Sequence, residues 1–239
     1  MAEPVSANVA MLMRVADRLN PLLDRVVFLG GAVTELLITS AGASGPRQTE
    51  DVDIVVNVLN LGEYSETLRD ELLSLGLVED TRDGAPVCRW LMGDVMVDIM
   101  PTRGDILDFS CEWYQTAFDS AEAFPLPNGL TIRLISPACF LATKLAAFGD
   151  RGRVDPMASH DLEDVIAVLD GRSEIVGDFA GASAELQAYV AVHFGQILAR
   201  GDVSVLVAAH LMPDQASQAR LPIVLDRIRR IIATAGRTS

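Results

Sequence analysis

Three aspartates lie in segments that are expected to form strands, and their types and spacing suit metal-dependent chemistry. Asp51 and Asp53 are two apart in the run DVDIVVNV, so both side chains point to one face of a predicted strand. Asp98 shares a strand face with Met96 and Met100, which indicates a sheltered carboxylate. Close aspartates repel one another, and two Mg²⁺ ions about 4 Å apart relieve that repulsion. The pattern is typical of phosphoryl or nucleotidyl transfer, with an ordinary exposed strand edge as the alternative.

Two glycines lie where a strand is expected to turn into a helix. The run RVVFLGG ends in Gly30 and Gly31, and the AVTELLITS that follows has a helical pattern. Glycines at such a turn let backbone N–H groups approach a phosphate, and a helix N-terminus favours an anion. The alternative is a tight turn without a ligand.

The order of these elements resembles the nucleotidyltransferase fold of the DNA polymerase β-like superfamily. A strand, a glycine pair, a helix, an Asp-x-Asp strand and a third aspartate follow one another along the chain. Within that superfamily, FLGGAVTELL and RQTEDVDIVV are similar to the AbiEii-type family, as are SPACFLATKLAAFGDRG and SHDLEDVIAVL further on. The resemblance covers about residues 26–170 and leaves the last segment unmatched.

The resemblance implies a set of site residues, position by position. The three aspartates would bind two Mg²⁺ ions, and Asp98 would also take the proton of the acceptor hydroxyl. Lys144, the only lysine of the chain, matches the helical lysine expected to contact the triphosphate, while Asp161 would lie near the nucleotide or the acceptor. Asp164 matches a position with a less defined role. The expected catalytic and metal-binding residues are Asp51, Asp53 and Asp98, and the expected nucleotide-binding residues are Gly30, Gly31, Arg47, Thr49, Lys144 and Asp161.

The pattern of elements predicts an α+β chain with two domains. A helix near the N-terminus precedes the strand that ends at the glycines, and a helix over 61–75 follows the Asp-x-Asp strand. A hairpin is expected over 85–100 around Gly93-Asp94, and LTIRLI is a further strand. From Ser136-Pro137 onward the pattern is helical, over 137–149, 160–170, 183–200, 203–211 and 215–235. We therefore expect a mixed β-sheet with flanking helices over 1–135 as a nucleotidyltransferase catalytic domain, and an all-helical domain over 136–239.

The net charge of the chain indicates which kinds of partner it can bind. The formal net charge is −14, which disfavours general binding to a phosphate backbone. The segment after Asp214 departs from this average, with five basic residues and Asp226 as its one acid: Arg220, Arg227, Arg229, Arg230 and Arg237. They form either a solvated helix face or a small patch that binds the phosphates of a tRNA.

Several classes of protein are disfavoured by composition. Half of the residues are hydrophobic, so the chain can bury a core and is not a disordered protein. The three cysteines lack metal or disulfide spacing, and neither a membrane span nor a signal peptide is evident. We therefore expect a cytoplasmic protein that does not associate with a membrane.

Three functions remain open at this point. The first is a Mg²⁺-dependent transferase that moves a nucleotide from an NTP to a tRNA end, a protein or a small molecule; the resemblance implies the toxin of a toxin–antitoxin pair, with a cognate antitoxin as partner. The second is a nucleotidyltransferase of the aminoglycoside-modifying type, whose cationic substrate would suit an acidic protein. The third is a nucleotide-binding regulatory protein without turnover.

Overall fold

The computed structural model describes residues 5–40, 42–43, 45–107, 111–152 and 154–236. Distances between Cα atoms divide the chain into two compact units. The first, here called the sheet unit, comprises Met1–Val33 and Gln48–Ser136. The second, here called the helical unit, comprises Thr34–Arg47 and Pro137–Ser239, so a short segment from the first half of the chain belongs to it.

The sheet unit is built on a mixed sheet of seven strands among the described residues. The strands are β1 (Val26–Leu29), β2 (Asp51–Val56), β3 (Val78–Glu79), β4 (Arg89–Met92), β5 (Val95–Pro101), β6 (Glu122–Pro125) and β7 (Thr131–Leu134). Their order in the sheet is β3-β4-β5-β2-β1-β7-β6. β2 runs parallel to β5 and β1 runs parallel to β7, whereas the other neighbouring pairs are antiparallel.

The central strands are held by apolar side chains, as their sequences predict. All four residues of β1 are buried, and Val52 and Ile54 of β2 are buried on the face opposite to its aspartates. The hairpin of β4 and β5 turns at Gly93, whose φ of 63° is a left-handed conformation that favours glycine. The predicted apolar face of β2, opposite its two aspartates, is therefore confirmed.

Short helices accompany this sheet. The helix α1 (Ala7–Arg18) begins at Ser6, whose hydroxyl accepts a hydrogen bond from the Val9 amide. The predicted helix over 61–75 is a π-helical segment, Glu63–Leu68, continued by α3 (Arg69–Ser74), with Gly76 at a φ of 79° after it. The 3₁₀ helices Asn20–Arg25 and Gly31–Val33 and the helix α4 (Tyr114–Asp119) complete the helices of this unit among the described residues.

The helical unit confirms the prediction of a helical C-terminal region. Its helices are α2 (Thr34–Leu37), α5 (Pro137–Ala147), α6 (His160–Gly171), α7 (Ile175–Ala180), α8 (Ala184–Leu198), α9 (Val203–Ala209), α10 (Gln215–Gln218) and α11 (Leu221–Ala235), with a π-helical segment Phe148–Gly152 and a 3₁₀ helix Pro156–Ala158. The expected helix over 215–235 is two helices, because Pro222 stands in the first turn of a new helix, where its missing amide costs nothing.

Two of the longer helices of this unit begin at a serine. α6 begins at Ser159 and α8 begins at Ser183, and each serine hydroxyl accepts a hydrogen bond from a backbone amide of the first turn.

Among the described residues, no single helix is both long and apolar enough to cross a membrane. Only α8 and α9 taken together pass that test, and the pair is bent by 106°.

Candidate active site

The three aspartates lie on one face of two paired strands in the sheet unit. β2 and β5 run parallel, with Asp53 opposite Asp98 and Asp51 opposite Met96. Because side chains alternate along a strand, this register puts the three carboxylates on the same face. The side chain of Asp98 is 12% exposed, as its methionine neighbours predicted. We call these three residues the aspartate face.

Gly30 provides the space that Asp53 occupies. A Cβ atom at Gly30 would lie 1.8 Å from Oδ2 of Asp53, and the φ of Gly30 is +76°. The short distance excludes any residue with a side chain unless Asp53 moves, and the positive φ disfavours such a residue in any case. The structure therefore shows that the glycine predicted to bind phosphate leaves room for a carboxylate directly above the backbone.

The helix expected after the glycines is short. Gly31–Val33 forms one 3₁₀ turn and α2 spans the next four residues, Thr34–Leu37. A segment of this length carries a smaller dipole than a helix over the whole of AVTELLITS, which the sequence pattern indicated. The predicted phosphate site at Gly30 and Gly31 thus depends on backbone amides alone.

Thr49 orients Asp51. Its hydroxyl donates a hydrogen bond of 2.7 Å to Oδ1 of Asp51, and its own backbone amide donates to Oδ1 of Asn8 at 3.1 Å. Thr49 is buried, so its rotamer is restricted. The threonine of the RQTEDVD segment therefore fixes one carboxylate of the aspartate face, a role that its spacing did not reveal.

Arg89 is bound to the aspartate face. Its Nε donates to Oδ1 of Asp98 at 2.8 Å and its Nη2 donates to Oδ2 at 2.7 Å, which is the two-pronged geometry of a strong charge-assisted pair. Nη2 also lies 3.6 Å from Oδ2 of Asp51. The hydrogen bond with Asp98 raises the pKa of Arg89 above its ordinary value, so this guanidinium is charged at every pH at which the protein folds.

Sequence reasoning missed Arg89, although the chain carried the signal. A hairpin with the two-residue turn Gly93-Asp94 pairs residues whose numbers add to the same total, so the residue opposite Asp98 has to be Arg89. An arginine directly across from a carboxylate on the same face forms an ion pair. The hairpin was predicted correctly, and only this last step was not taken.

The aspartate face fits a metal ion in part. Among the described residues, no three histidine, cysteine, aspartate or glutamate side chains converge as a metal site. Asp51 and Asp53 do offer carboxylate oxygens on one face, the ligand type that Mg²⁺ prefers. Both oxygens of Asp98 already bind a cation, the guanidinium of Arg89. The residues therefore fit one hard ion on Asp51 and Asp53, and Asp98 does not fit as a ligand in this arrangement.

The remaining predicted residues form a separate cluster of charges in the helical unit. Lys144 Nζ lies 2.7 Å from Oδ2 of Asp164 and 3.3 Å from Oδ1 of Asp161. Arg151 donates to both oxygens of Asp161, at 2.8 and 3.0 Å, and Arg47 Nε lies 3.6 Å from Oδ1 of Asp164. We call these five residues the helical ion cluster. It holds three cations and two carboxylates.

Burial distinguishes the members of the helical ion cluster. The side chain of Asp164 is 1% exposed and that of Lys144 is 9% exposed, whereas that of Arg151 is 73% exposed. Burial acts to raise the pKa of Asp161, but the hydrogen bond from Arg151 and the charge of Lys144 outweigh it and lower that pKa below its ordinary value. Arg47 and Asp164 also line an open pocket of about 220 Å³ with Glu163, Asp170 and His210.

The C-terminal arginines predicted as a phosphate-binding patch divide into two kinds. Arg220 binds the side chain of Asp170 at 2.6 Å, and Arg227 donates to the carbonyl oxygens of Leu169 and Asp170 at 2.6 and 2.7 Å. Both therefore satisfy the C-terminal end of α6, where a cation is favoured. Arg229 and Arg230 are exposed, while Arg237 lies outside the described residues.

Comparison with known proteins adds no relative. No protein-family model matches the chain, and no curated protein matches it significantly.

Proposed function

We propose that this chain is a Mg²⁺-dependent nucleotidyltransferase that moves a nucleotide from an NTP to an acceptor. The observation that carries the proposal is the aspartate face, in which Asp53 is seated over Gly30 and lies opposite Asp98. The resemblance to the AbiEii-type family, and through it to the nucleotidyltransferase fold, supports the same reaction. We propose that fold for the sheet unit.

In this proposal, Asp51 and Asp53 bind the ion and Thr49 holds Asp51 in place. A bound Mg²⁺ supplies charge neutralisation at the phosphates and activation of the attacking oxygen. The backbone of Gly30 and Gly31 binds the polyphosphate. Arg151 is the most exposed member of the helical ion cluster.

The test is transfer of label from each of the four NTPs labelled at the α-phosphate. The full chain with Mg²⁺ is incubated with total RNA, cell extract or a polyamine antibiotic, and we expect one mixture to give a labelled acceptor. Asp53→Asn should lower transfer by about a hundredfold or more, because the ion loses a ligand. Asp83→Asn, an exposed aspartate of the same unit, is the matched control and should transfer normally.

The proposal is wrong if no NTP labels any acceptor, or if Asp53→Asn transfers as well as the control. A toxin would in addition arrest growth when it is expressed in a bacterial host. That arrest should disappear with Asp53→Asn and persist with Asp83→Asn.

The acceptor is better sought first among small cations than among RNAs. Two of the arginines expected to bind tRNA, Arg220 and Arg227, donate instead to backbone carbonyl oxygens at the end of α6. Together with the net charge of −14, these contacts favour a polyamine-type substrate. Labelled RNA would reverse this order of preference.

A second function, nucleotide binding without turnover, is favoured by one observation. Both oxygens of Asp98 accept hydrogen bonds from Arg89, so this carboxylate is poorly placed to take a proton from an acceptor. In that case, an NTP with Mg²⁺ should raise the melting temperature of the chain and no labelled product should appear. The loss of that shift with Asp53→Asn would tie it to the aspartate face.

A further inference from the structure

Arg89 and Asp98 form a bidentate ion pair within the aspartate face. Each carboxylate oxygen of Asp98 accepts one hydrogen bond from the guanidinium of Arg89, at 2.8 and 2.7 Å. The two residues are opposite each other in the antiparallel ladder of β4 and β5, so the backbone brings them together whatever the side chains do. Their side chains are 19% and 12% exposed, and water therefore competes only weakly for either charge.

A divalent ion on Asp98 would have to approach this guanidinium. Nη2 lies 2.7 Å from Oδ2 of Asp98, and a Mg²⁺ ion lies about 2.1 Å from its oxygen ligands, so the two cations would be within about 5 Å. Like charges at that separation repel strongly where few waters screen them. By contrast, Nη2 is 3.6 Å from Oδ2 of Asp51, and Asp53 packs against the backbone of Gly30.

Given the ion-dependent function proposed above, we propose that Arg89 takes the place of a second metal ion. Its guanidinium neutralises Asp98 permanently and removes it from ion binding. The aspartate face then holds a single divalent ion, bound by Asp51 and Asp53, where the resemblance implies two ions on three aspartates. Asp98 binds the guanidinium of Arg89 and is not a ligand of the divalent ion.

Counting bound Mn²⁺ ions tests this assignment without reference to activity. The full chain is titrated with Mn²⁺ alone, and free Mn²⁺ is followed by electron paramagnetic resonance. We expect one tight ion in the wild type, and Asp51→Asn and Asp53→Asn should each weaken it by about tenfold or more. Asp98→Asn should leave the number of ions at one and change the affinity by less than about threefold, since that residue contributes no ligand.

Replacement of Arg89 gives the complementary result. Arg89→Met frees Asp98, and we expect a second Mn²⁺ to bind. Arg89→Lys keeps the charge but not the fork and should remain at one ion. Circular dichroism and the melting temperature check that each variant folds. If Arg89→Met does not fold, the contrast between Asp98→Asn and Asp51→Asn decides alone.

Two tight ions in the wild type, with one lost in Asp98→Asn, would overturn the assignment, and so would a wild type that binds none. The outcome is separable from that of the proposed function. One bound ion without transfer of label leaves the role of Arg89 intact and ends the proposed reaction. Transfer of label by a chain that binds two ions would support the proposed reaction and overturn the role of Arg89.

Discussion

The aspartate face and the helical ion cluster combine similar residues with opposite results. The aspartate face places three carboxylates against one arginine and keeps a net charge of −2 on a partly exposed strand surface. The helical ion cluster places two carboxylates among three cations, and its central pair, Lys144 and Asp164, is almost fully buried. The first group carries an excess of negative charge among its own residues, and the second pairs carboxylates with cations inside the cluster.

This difference indicates which charges serve a ligand and which serve the fold. A buried pair costs desolvation that only its own partners repay, so either member becomes a liability when the other is removed. A partly exposed group with excess charge of one sign gains most from an ion that comes from solvent. We therefore expect substitutions in the helical ion cluster to alter stability and substitutions in the aspartate face to alter ion binding.

Lys144→Met should have the largest effect on stability. The ammonium is the closest cation to Asp164, whose carboxylate is 1% exposed, and the variant leaves that charge buried without it. Breaking one partner of a buried pair costs about 3–5 kcal/mol of the free energy of unfolding, which urea denaturation measures. The sequence alone predicted that this lysine contacts the triphosphate and that its loss would weaken nucleotide binding more than it harms the fold.

Lys144→Met/Asp164→Leu is the matched control for that change. Removing both charges together should recover most of the lost stability, because the buried carboxylate that lost its closest cation is also gone. A single variant as stable as the wild type, with weakened NTP binding, would show instead that Lys144 belongs with the ligand-binding charges.

Gly30→Ala should have the next largest effect on stability. Gly84→Ala is the control that distinguishes backbone strain at a positive φ from the contact with Asp53. Both glycines have positive φ, +76° and +81°, so alanine is strained at each by about 1–2 kcal/mol. A Cβ at Gly84 meets nothing within 4 Å, whereas a Cβ at Gly30 meets Asp53 at 1.8 Å. We expect Gly30→Ala to lose about 1–3 kcal/mol more than the control.

The same two variants, Gly30→Ala and Gly84→Ala, can also be compared by ion binding. Mn²⁺ binding should fall in Gly30→Ala, because Asp53 is displaced, and should be unchanged in Gly84→Ala. Equal losses of stability and equal ion binding in the two variants would show that Asp53 is not held by the glycine.

Much of the sheet could be predicted because its central strands obey local rules. The buried run of β1, the alternation in β2 and the turn at Gly93 each have a distinct sequence pattern. The edge strands do not: β3 has two exposed residues, and β6, with the sequence EAFP, carries a glutamate, a proline and little burial. Such strands exist only because a neighbour pairs with them, which no local pattern records.

The site shows the same division. The common face of Asp51 and Asp53 follows from their spacing, and the partner of Asp98 follows from the hairpin register. The partners of Lys144 do not follow from any period, because Lys144 lies in α5 whereas Asp161 and Asp164 lie in α6. Only the packing of these two helices brings the charges together, and this is why a lysine predicted for a ligand lies within a buried ion cluster.

Arg227→Ala should show that other charges of the helical unit also serve the fold. Nη1 of Arg227 donates to two carbonyl oxygens at the end of α6, and burial lowers its pKa. Loss of these charge-assisted hydrogen bonds should cost about 1.5 kcal/mol or more in urea denaturation. Arg229→Ala, an exposed arginine on the same helix, should stay within about 0.5 kcal/mol of the wild type. Weaker RNA binding in Arg227→Ala, with unchanged stability, would restore the predicted phosphate patch.

The smallest effect we expect is a pH dependence that Asp161 confers. Arg151 and Lys144 hold the pKa of Asp161 below its ordinary value in the folded chain. The unfolded chain therefore binds this proton first, and the stability from Asp161 is complete above about pH 4 and is lost as the pH falls through the folded pKa. The free energy of unfolding, measured against pH in urea, should fall less steeply below pH 4 in Asp161→Asn than in the wild type, because the variant no longer takes up the proton. Parallel curves would show that the carboxylate of Asp161 is not stabilised by these cations.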